Sequence, residues 1–267
     1  MDFNANLNRK RVLILGGTGD ARELATRMDE MPGVEVITSL AGRTRIAMVR
    51  SPNTRIGGFG GVAGLSQYLR EQQIDLLIDA THPFAEQISG NAAEAAAAVG
   101  IPRLMLMRPG WERREGDCWI EVESHAEAAG VLATLADRIF LTIGRQELAA
   151  FAHLQDLWFL MRMIDPPSPD AAVPPGRLLL ERGPFDLADE RSLLQQYEIG
   201  AIVSKNSGGD ATYAKIIAAR ELGIPVVMIQ RAPVPPGDRV ADVEGALAWV
   251  ENSSGNTRRG LKPPPNS

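Results

Sequence analysis

Along the chain, short runs of Val, Ile and Leu alternate with stretches in which apolar residues recur three and four positions apart. Runs of the first kind predict strands buried on both faces, and stretches of the second kind predict amphipathic helices. Their alternation predicts βαβ units and a parallel sheet. The N-terminal series places strands at "RVLILG", "VEVITSL", "DLLIDA" and "PRLMLM". Helices fall at "DARELATRMDEM", "VAGLSQYLREQQ" and "FAEQISGNAAEAAAAVG". Helix stops stand where chain physics puts them, at Pro32-Gly33 and at Gly100 with Pro102.

The polar, turn-rich "RPGWERREGD", Arg108 to Asp117, interrupts this series before the alternation resumes. A helix near "SHAEAAGVLATLA", the strand "RIFLTIG", a short helix "QELAAFAHL" and the strand "LWFLMRMI" lead to the proline-rich loop "DPPSPDAAVPPG". Then come the strand "RLLLER", the helix "LADERSLLQQY", the strand "AIVSK", the helix "YAKIIAARELG", the strand "PVVMIQ" and the helix "VEGALAWVEN". The expectation is an α/β fold of two parallel-sheet domains, 1–108 and 109–251, facing each other across a cleft. Residues 252–267, "NSSGNTRRGLKPPPNS" from Asn252, read as a disordered tail with almost nothing to bury.

Composition narrows the function. With 267 residues and a net charge of -5 there is no global basic surface, so no nucleic-acid partner is expected. Cys118 is the single cysteine, which excludes an intramolecular disulfide and a thiolate metal cluster, and it reads as inert packing. The N-terminus lacks an apolar signal core, and the alanine-rich helix is too short and too weakly hydrophobic for a bilayer. The expectation is a cytoplasmic protein with no membrane partner.

Three glycines in four positions follow the first strand, in "VLILGGTGDAREL". A strand that ends in glycine and opens a helix presents backbone N–H groups that a diphosphate can approach closely. Gly16, Gly17, Thr18, Gly19 and Asp20 are therefore candidate cofactor contacts. The third fingerprint position is Arg22 instead of glycine or alanine, which predicts a first helix standing slightly away from its strand. The next strand runs into "TSLAGRTR", with Ser39, Ala41, Gly42, Arg43 and Arg45 and no acid. A hydroxyl and a guanidinium there suit a 2′-phosphate, favouring NADPH over NADH.

Ligands of open parallel sheets collect beyond the carboxyl ends of the strands. In "DATHPFAEQ", Pro83 suits the first helical position, with Thr81 or His82 as the cap and His82 at the crevice edge. In "LTIGRQEL", Thr142, Gly144 and Arg145 form a candidate anion site. In "VSKNSGGDATYAK", Ser204, Lys205, Asn206, Ser207, Gly208 and Gly209 form a candidate cradle for a carboxylate or phosphate. Other chemistries lack their signatures. No Tyr has Lys four positions on, no phosphate-binding G-x-x-x-x-G-K-[ST] occurs, and the three histidines, His82, His125 and His153, are too dispersed for a metal site.

The motifs "GGTGDAREL", "SLAGRT", "DATHPFA", "TIGRQEL" and "SKNSGG" stand in the order of precorrin-6A reductases of cobalamin biosynthesis, and the chain resembles that family from about Arg11 to Val250. The resemblance implies two Rossmann-like domains, with NADPH on the first and the tetrapyrrole in the cleft. It implies reduction of the C18=C19 double bond of precorrin-6A, or of its cobalt complex, to precorrin-6B. Arg145, Lys205 and helix N-termini would hold the substrate's acetates and propionates, and Lys205 and His82 are the candidate proton donors. Other enzymes of the pathway are candidate partners. Two alternatives stay open: a Rossmann-type reductase of a small dicarboxylate, similar to dihydrodipicolinate reductase, and a non-catalytic NADP-binding sensor.

Overall fold

The computed structural model describes residues 9–42 and 53–253. The chain divides into two compact units: residues up to Arg108 together with those from Val234 onward, and Pro109–Pro233. The first unit contains β1 (Lys10–Leu15), α1 (Gly19–Asp29), β2 (Val34–Leu40), β3 (Thr54–Ile56), α2 (Gly61–Glu71), β4 (Leu76–Asp79), α3 (Glu86–Val99) and β5 (Arg103–Leu106). The second contains β6 (Trp119–Val122), α4 (His125–Leu132), β7 (Arg138–Thr142), a 3₁₀ turn (Leu148–Phe151), β8 (Trp158–Met163), β9 (Gly176–Leu180), α5 (Leu187–Gln196), β10 (Ala201–Lys205), α6 (Ala214–Leu222) and β11 (Val226–Ile229). The chain then returns to the first unit as β12 (Asp238–Val240) and α7 (Val243–Ser253).

Each unit holds a six-stranded, wholly parallel sheet. The orders are β12-β5-β4-β1-β2-β3 and β6-β11-β10-β7-β8-β9. Read from β3 and from β9, both follow the doubly wound 3-2-1-4-5-6 order. In the first sheet the sixth place is taken by β12, which arrives after the whole second unit. In the second it is taken by β6, which precedes that unit's other strands.

Alternation along the strands explains why both faces are covered. Val12, Ile14, Leu76, Ile78, Leu104 and Leu106 face a core completed by Ala21, Leu24 and Met28 of α1 and by Val243, Ala246 and Val250 of α7. The intervening Leu13, Leu15, Ile37 and Leu77 face a second core with Leu65 and Leu69 of α2 and Ala92, Ala95 and Ala96 of α3. In the second unit Phe140, Leu160, Ile202, Val226 and Met228 pack against Leu194 of α5 and Ile216, Ala218 and Ala219 of α6. Four of the five buried charged residues among the described residues lie in this unit: Asp117, Arg162, Glu190 and Lys215, against Asp79 in the first.

Three expectations change here. The C-terminal helix was expected to complete the second half, but α7 belongs to the first. Burying the apolar stripe Val243, Ala246 and Val250 on α1 and the sheet contributes roughly 1.5 to 3 kcal/mol for each valine. Lys10 Nζ also donates to Ser253 O at 2.8 Å, and Arg27 pairs with Glu244. Of the expected tail, Asn252 and Ser253 are the end of this helix, and residues 254–267 lie outside the described residues. Cys118 is exposed instead of packed.

Candidate functional site

At the C-terminal end of β1 the first sheet divides. Gly16 N–H donates to Ser39 O of β2 at 2.9 Å, while Ala80 N–H, just past β4, donates to Leu15 O at 2.9 Å. This is the topological switch point, where doubly wound sheets bind ligands. Thr18 caps α1 with extended backbone. Its Oγ1 accepts from Ala21 N–H at 3.0 Å and donates to Ala80 O at 2.9 Å, tying the turn to β4. Arg22 N–H goes to Thr18 O, so Gly19 and Asp20 carry the first-turn N–H groups that helix geometry leaves without an intrahelical acceptor.

The glycines of this turn do different work. A Cβ at Gly16 would stand 3.3 Å from Leu40 Cδ2 and 3.5 Å from Ala21 Cβ, so Gly16 lets helix and strand approach. Gly17, at φ +125°, and Gly19 would meet nothing within 4 Å. Both therefore leave open space beside the start of α1, and backbone without a Cβ is what a diphosphate can approach closely. Arg22 is exposed, and the close helix contact is supplied by buried Ala21, so α1 does not stand off from its strand. The Asp20 side chain, favourably placed in the first turn, pairs with Arg108 Nη1 at 3.0 Å. Arg108, past β5, escaped the sequence reading because it lies in the segment taken as linker.

At the end of β2, Ser39 is buried and its Oγ accepts from Arg55 Nη1 at 3.3 Å. Arg55 belongs to β3, donates to Gly57 O and Gly58 O, and stacks 3.8 Å over the Phe59 ring. Ala41 and Gly42 are exposed, the latter at φ +71°. Arg43 and Arg45 lie outside the described residues. The guanidinium seen beside Ser39 thus comes from a three-residue edge strand too short to register as a hydrophobic pattern.

After β4, Pro83 does not open the helix. Residues 82–85 make a turn in which Ala85 N–H donates to His82 O at 2.8 Å, and α3 begins at Glu86 with Ala85 as a cap lacking a side-chain bond. Thr81 caps nothing: its hydroxyl and N–H both donate to Asp79 Oδ1, at 2.6 and 3.1 Å. Asp79 is 1% exposed, and its Oδ2 has no hydrogen-bond partner among the described residues. His82 Nδ1 accepts from Phe84 N–H at 3.3 Å, which in a neutral ring places the proton on Nε2.

The second sheet has its switch point between β7 and β10. Thr142, expected to contact substrate, donates its hydroxyl to Val203 O at 2.9 Å, much as Thr18 does to Ala80. Gly144 is not an open cradle, since a Cβ there would lie 2.4 Å from Glu147 Oε2. Arg145 Nη1 donates to Pro166 O at 3.3 Å. In "SKNSGG" the alternation sorts the residues. Ser204 is 1% exposed inside β10, and Asn206 is buried. Asn206 Oδ1 accepts from Trp111 N–H at 2.7 Å and its Nδ2 donates to Trp111 O at 3.2 Å, so it pins residue 111 in place of a ligand.

Gly208, at φ +67°, is there because a Cβ would stand 2.0 Å from Pro109 O, and Gly209 O accepts from Trp111 Nε1 at 2.8 Å. Lys205 and Ser207 remain partly exposed, and Lys205 Nζ lies 3.4 Å from Glu147 Oε1. Behind them, fully buried Lys215 donates to Thr212 O at 2.7 Å and sits 4.8 Å from the Trp111 ring. Burial, and next the charge of Arg162, push its pKa down to about 7. Arg162 forms a buried two-armed pair with Glu190, one arm at 2.8 Å; removing either partner of such a pair costs about 3–5 kcal/mol.

Two parallel sheets in doubly wound order, with a capped glycine turn open at the first switch point, define an α/β protein of the Rossmann class. Within that class, residues 11–251 match the family described as precorrin-6x reductase CbiJ/CobK, and the chain belongs to that family. It is accordingly an oxidoreductase of cobalamin biosynthesis. It is 54% identical over 242 residues to a precorrin-6A reductase of Rhodococcus erythropolis, covering 90% of this chain and 97% of that one. It is 41% identical over 251 residues to one of Rhodobacter capsulatus, covering 94% and 99%. A cobalt-precorrin-6A reductase of Priestia megaterium is 30% identical over 256 residues, covering 91% and 99%. A solved structure of CobK precorrin-6A reductase superposes with a TM-score of 0.85 at 42% identity, covering 94% of this chain and all of that one.

Proposed function

We propose that the protein reduces the C18=C19 double bond of precorrin-6A to give precorrin-6B, with NADPH as the reductant. The observation that carries this is the coincidence of family membership over almost the whole chain with a first-unit turn whose Gly17 and Gly19 leave room for a diphosphate. Bound NADPH would supply the hydride. Gly17, Thr18, Gly19 and Asp20 hold the diphosphate through backbone N–H groups. Ser39 and Arg55, with Ala41, Gly42 and Arg43, take the 2′-phosphate end, and Thr81, His82 and Pro83 border the nicotinamide end. In the second unit Arg145, Ser207 and Gly209 meet the substrate's carboxylates, and Lys205 donates the proton. His82 is the second donor candidate; its Nδ1 accepts from the chain, so in a neutral ring the proton sits on Nε2.

The metal-free substrate is favoured over the cobalt complex. Relatives named precorrin-6A reductase reach 54% and 47% identity, against 30% for the cobalt-precorrin enzymes. A cytoplasmic location belongs to the same reading. The test is loss of NADPH absorbance on adding precorrin-6A or its cobalt complex, repeated with NADH. Faster turnover of the metal-free form with NADPH is expected. Turnover with NADH at an equal rate would remove the cofactor assignment, and no oxidation with either tetrapyrrole would remove the substrate. Arg55→Ala should raise the KM for NADPH by about tenfold or more and leave that for NADH nearly unchanged.

A further inference from the structure

We propose that Glu147 is a positioning residue that fixes the Lys205 ammonium for proton delivery, and that position 144 is glycine to make room for the Glu147 carboxylate. The inference rests on the reading of Lys205 as proton donor. β7 and β10 are neighbours with Thr142 opposite Ser204, so Lys205 ends its strand beside the turn that follows β7. Glu147 N–H donates to Gly144 O at 3.2 Å, closing a turn that folds the Glu147 side chain back over residue 144. There its Oε1 meets Lys205 Nζ at 3.4 Å, while Oε2 and Cδ occupy the places 2.4 and 3.2 Å from where a Cβ on residue 144 would sit.

The φ of Gly144 is not in the left-handed region, so nothing in its backbone requires glycine. The carboxylate does. Any side chain at 144 would push the far end of Glu147 away from Lys205 without disturbing the strand.

Positioning matters because Lys205 carries its charge on a flexible four-carbon stem. The side chain is only 14% exposed, and that of Glu147 29%, so water screens the pair less than it would at a free surface. In the same turn Arg145 Nη1 donates to Pro166 O at 3.3 Å, and past β11 Arg231 donates its Nε–H to Asn206 O at 2.7 Å. Glu147 Oε1 is in contact with the ammonium. In the reduction, bound NADPH would supply hydride to one carbon of the double bond. An N–H bond of the ammonium breaks as a C–H bond forms on the other carbon, and the resulting amine is reprotonated from water. A donor held in one direction reaches that carbon in more encounters than one that samples several rotamers.

The experiment compares Glu147→Gln, Glu147→Asp, Gly144→Ala and Lys205→Ala in the full chain under saturating NADPH and precorrin-6A. Retained NADPH affinity serves as the check that each variant is folded. Lys205→Ala should lose about a hundredfold in kcat. Glu147→Gln and Gly144→Ala should each lose about tenfold or more in kcat, with the KM for NADPH unchanged and a larger solvent deuterium isotope effect, and Glu147→Asp should recover part of the loss. In a Lys205→Ala background, Glu147→Gln should have no further effect. Wild-type kcat and isotope effect in Glu147→Gln, alongside a slow Lys205→Ala, would overturn the inference while the donor reading stands. An equal loss from Glu147→Gln with and without Lys205 would also overturn it. A Lys205→Ala enzyme at the wild-type rate would overturn the donor reading and this inference with it.

Discussion

The two units share a strand order and a threonine that bridges each switch point, yet they use glycine in opposite ways. At the first switch point Gly17 and Gly19 face no protein atom within 4 Å. At the second, Gly144 is filled by the Glu147 carboxylate and Gly208 by the Pro109 carbonyl, at 2.4 and 2.0 Å from a notional Cβ. A glycine after a strand therefore marks a close approach without saying of what. At the first switch point the space stays open, and at the second the chain itself fills it.

Breaking the second unit's contact should produce the largest effect. Gly208→Ala combines the overlap with Pro109 O and a left-handed φ, and should cost at least about 3 kcal/mol in urea unfolding. A loss under about 1 kcal/mol would show that this glycine, too, lies open. The matched change in the first unit is Gly19→Ala, which adds a methyl group to a helix start with no neighbour to strike. Stability should stay within about 0.5 kcal/mol. NADPH affinity, by calorimetric titration, should fall about tenfold, or about 1.4 kcal/mol. Unchanged affinity would remove the diphosphate from this turn.

The smallest effect sharpens a second contrast, the charges inside the second unit. Lys215 has a folded pKa of about 7 against an ordinary 10.5. Between those values the unfolded chain binds more protons than the folded one, so stability rises with pH across that window. Below it, the full burden of a buried ammonium remains. Lys215→Met should therefore be more stable than the wild-type protein by about 1 kcal/mol at pH 6, an advantage that shrinks as pH rises above 7. Thermal melts of both proteins across this range check the sign, and an advantage that grows with pH would contradict it.

Much of the fold was legible because the central strands are buried on both faces and show as apolar runs. "VEVITSL" and "AIVSK" coincide with β2 and β10 residue for residue. The strands that went unread, β3, β6 and β12, are three or four residues long and sit at sheet edges, where pairing with one neighbour needs little hydrophobic patterning. The site shows the same split. The first glycine turn was readable because strand, glycine and cap are contiguous. Arg55, Arg108 and Glu147 were not, because Ser39, Asp20 and Lys205, which they meet, lie elsewhere in the chain. Ser204 and Asn206 lie buried and Gly208 abuts Pro109 O, and in the sequence a small residue looks the same whether it faces a ligand or packs against the chain.

By itself the sequence determined the class of sheet, the family resemblance and the position of the first glycine turn, since these depend on periodicity and contiguous motif. Only the tertiary structure decided that α7 and β12 return to the first unit, which glycines stay open, and which carboxylate stands beside Lys205. Apart from Gly144, filled by a residue three positions on, those outcomes depend on contacts between residues tens to hundreds of positions apart, of which local pattern carries no record.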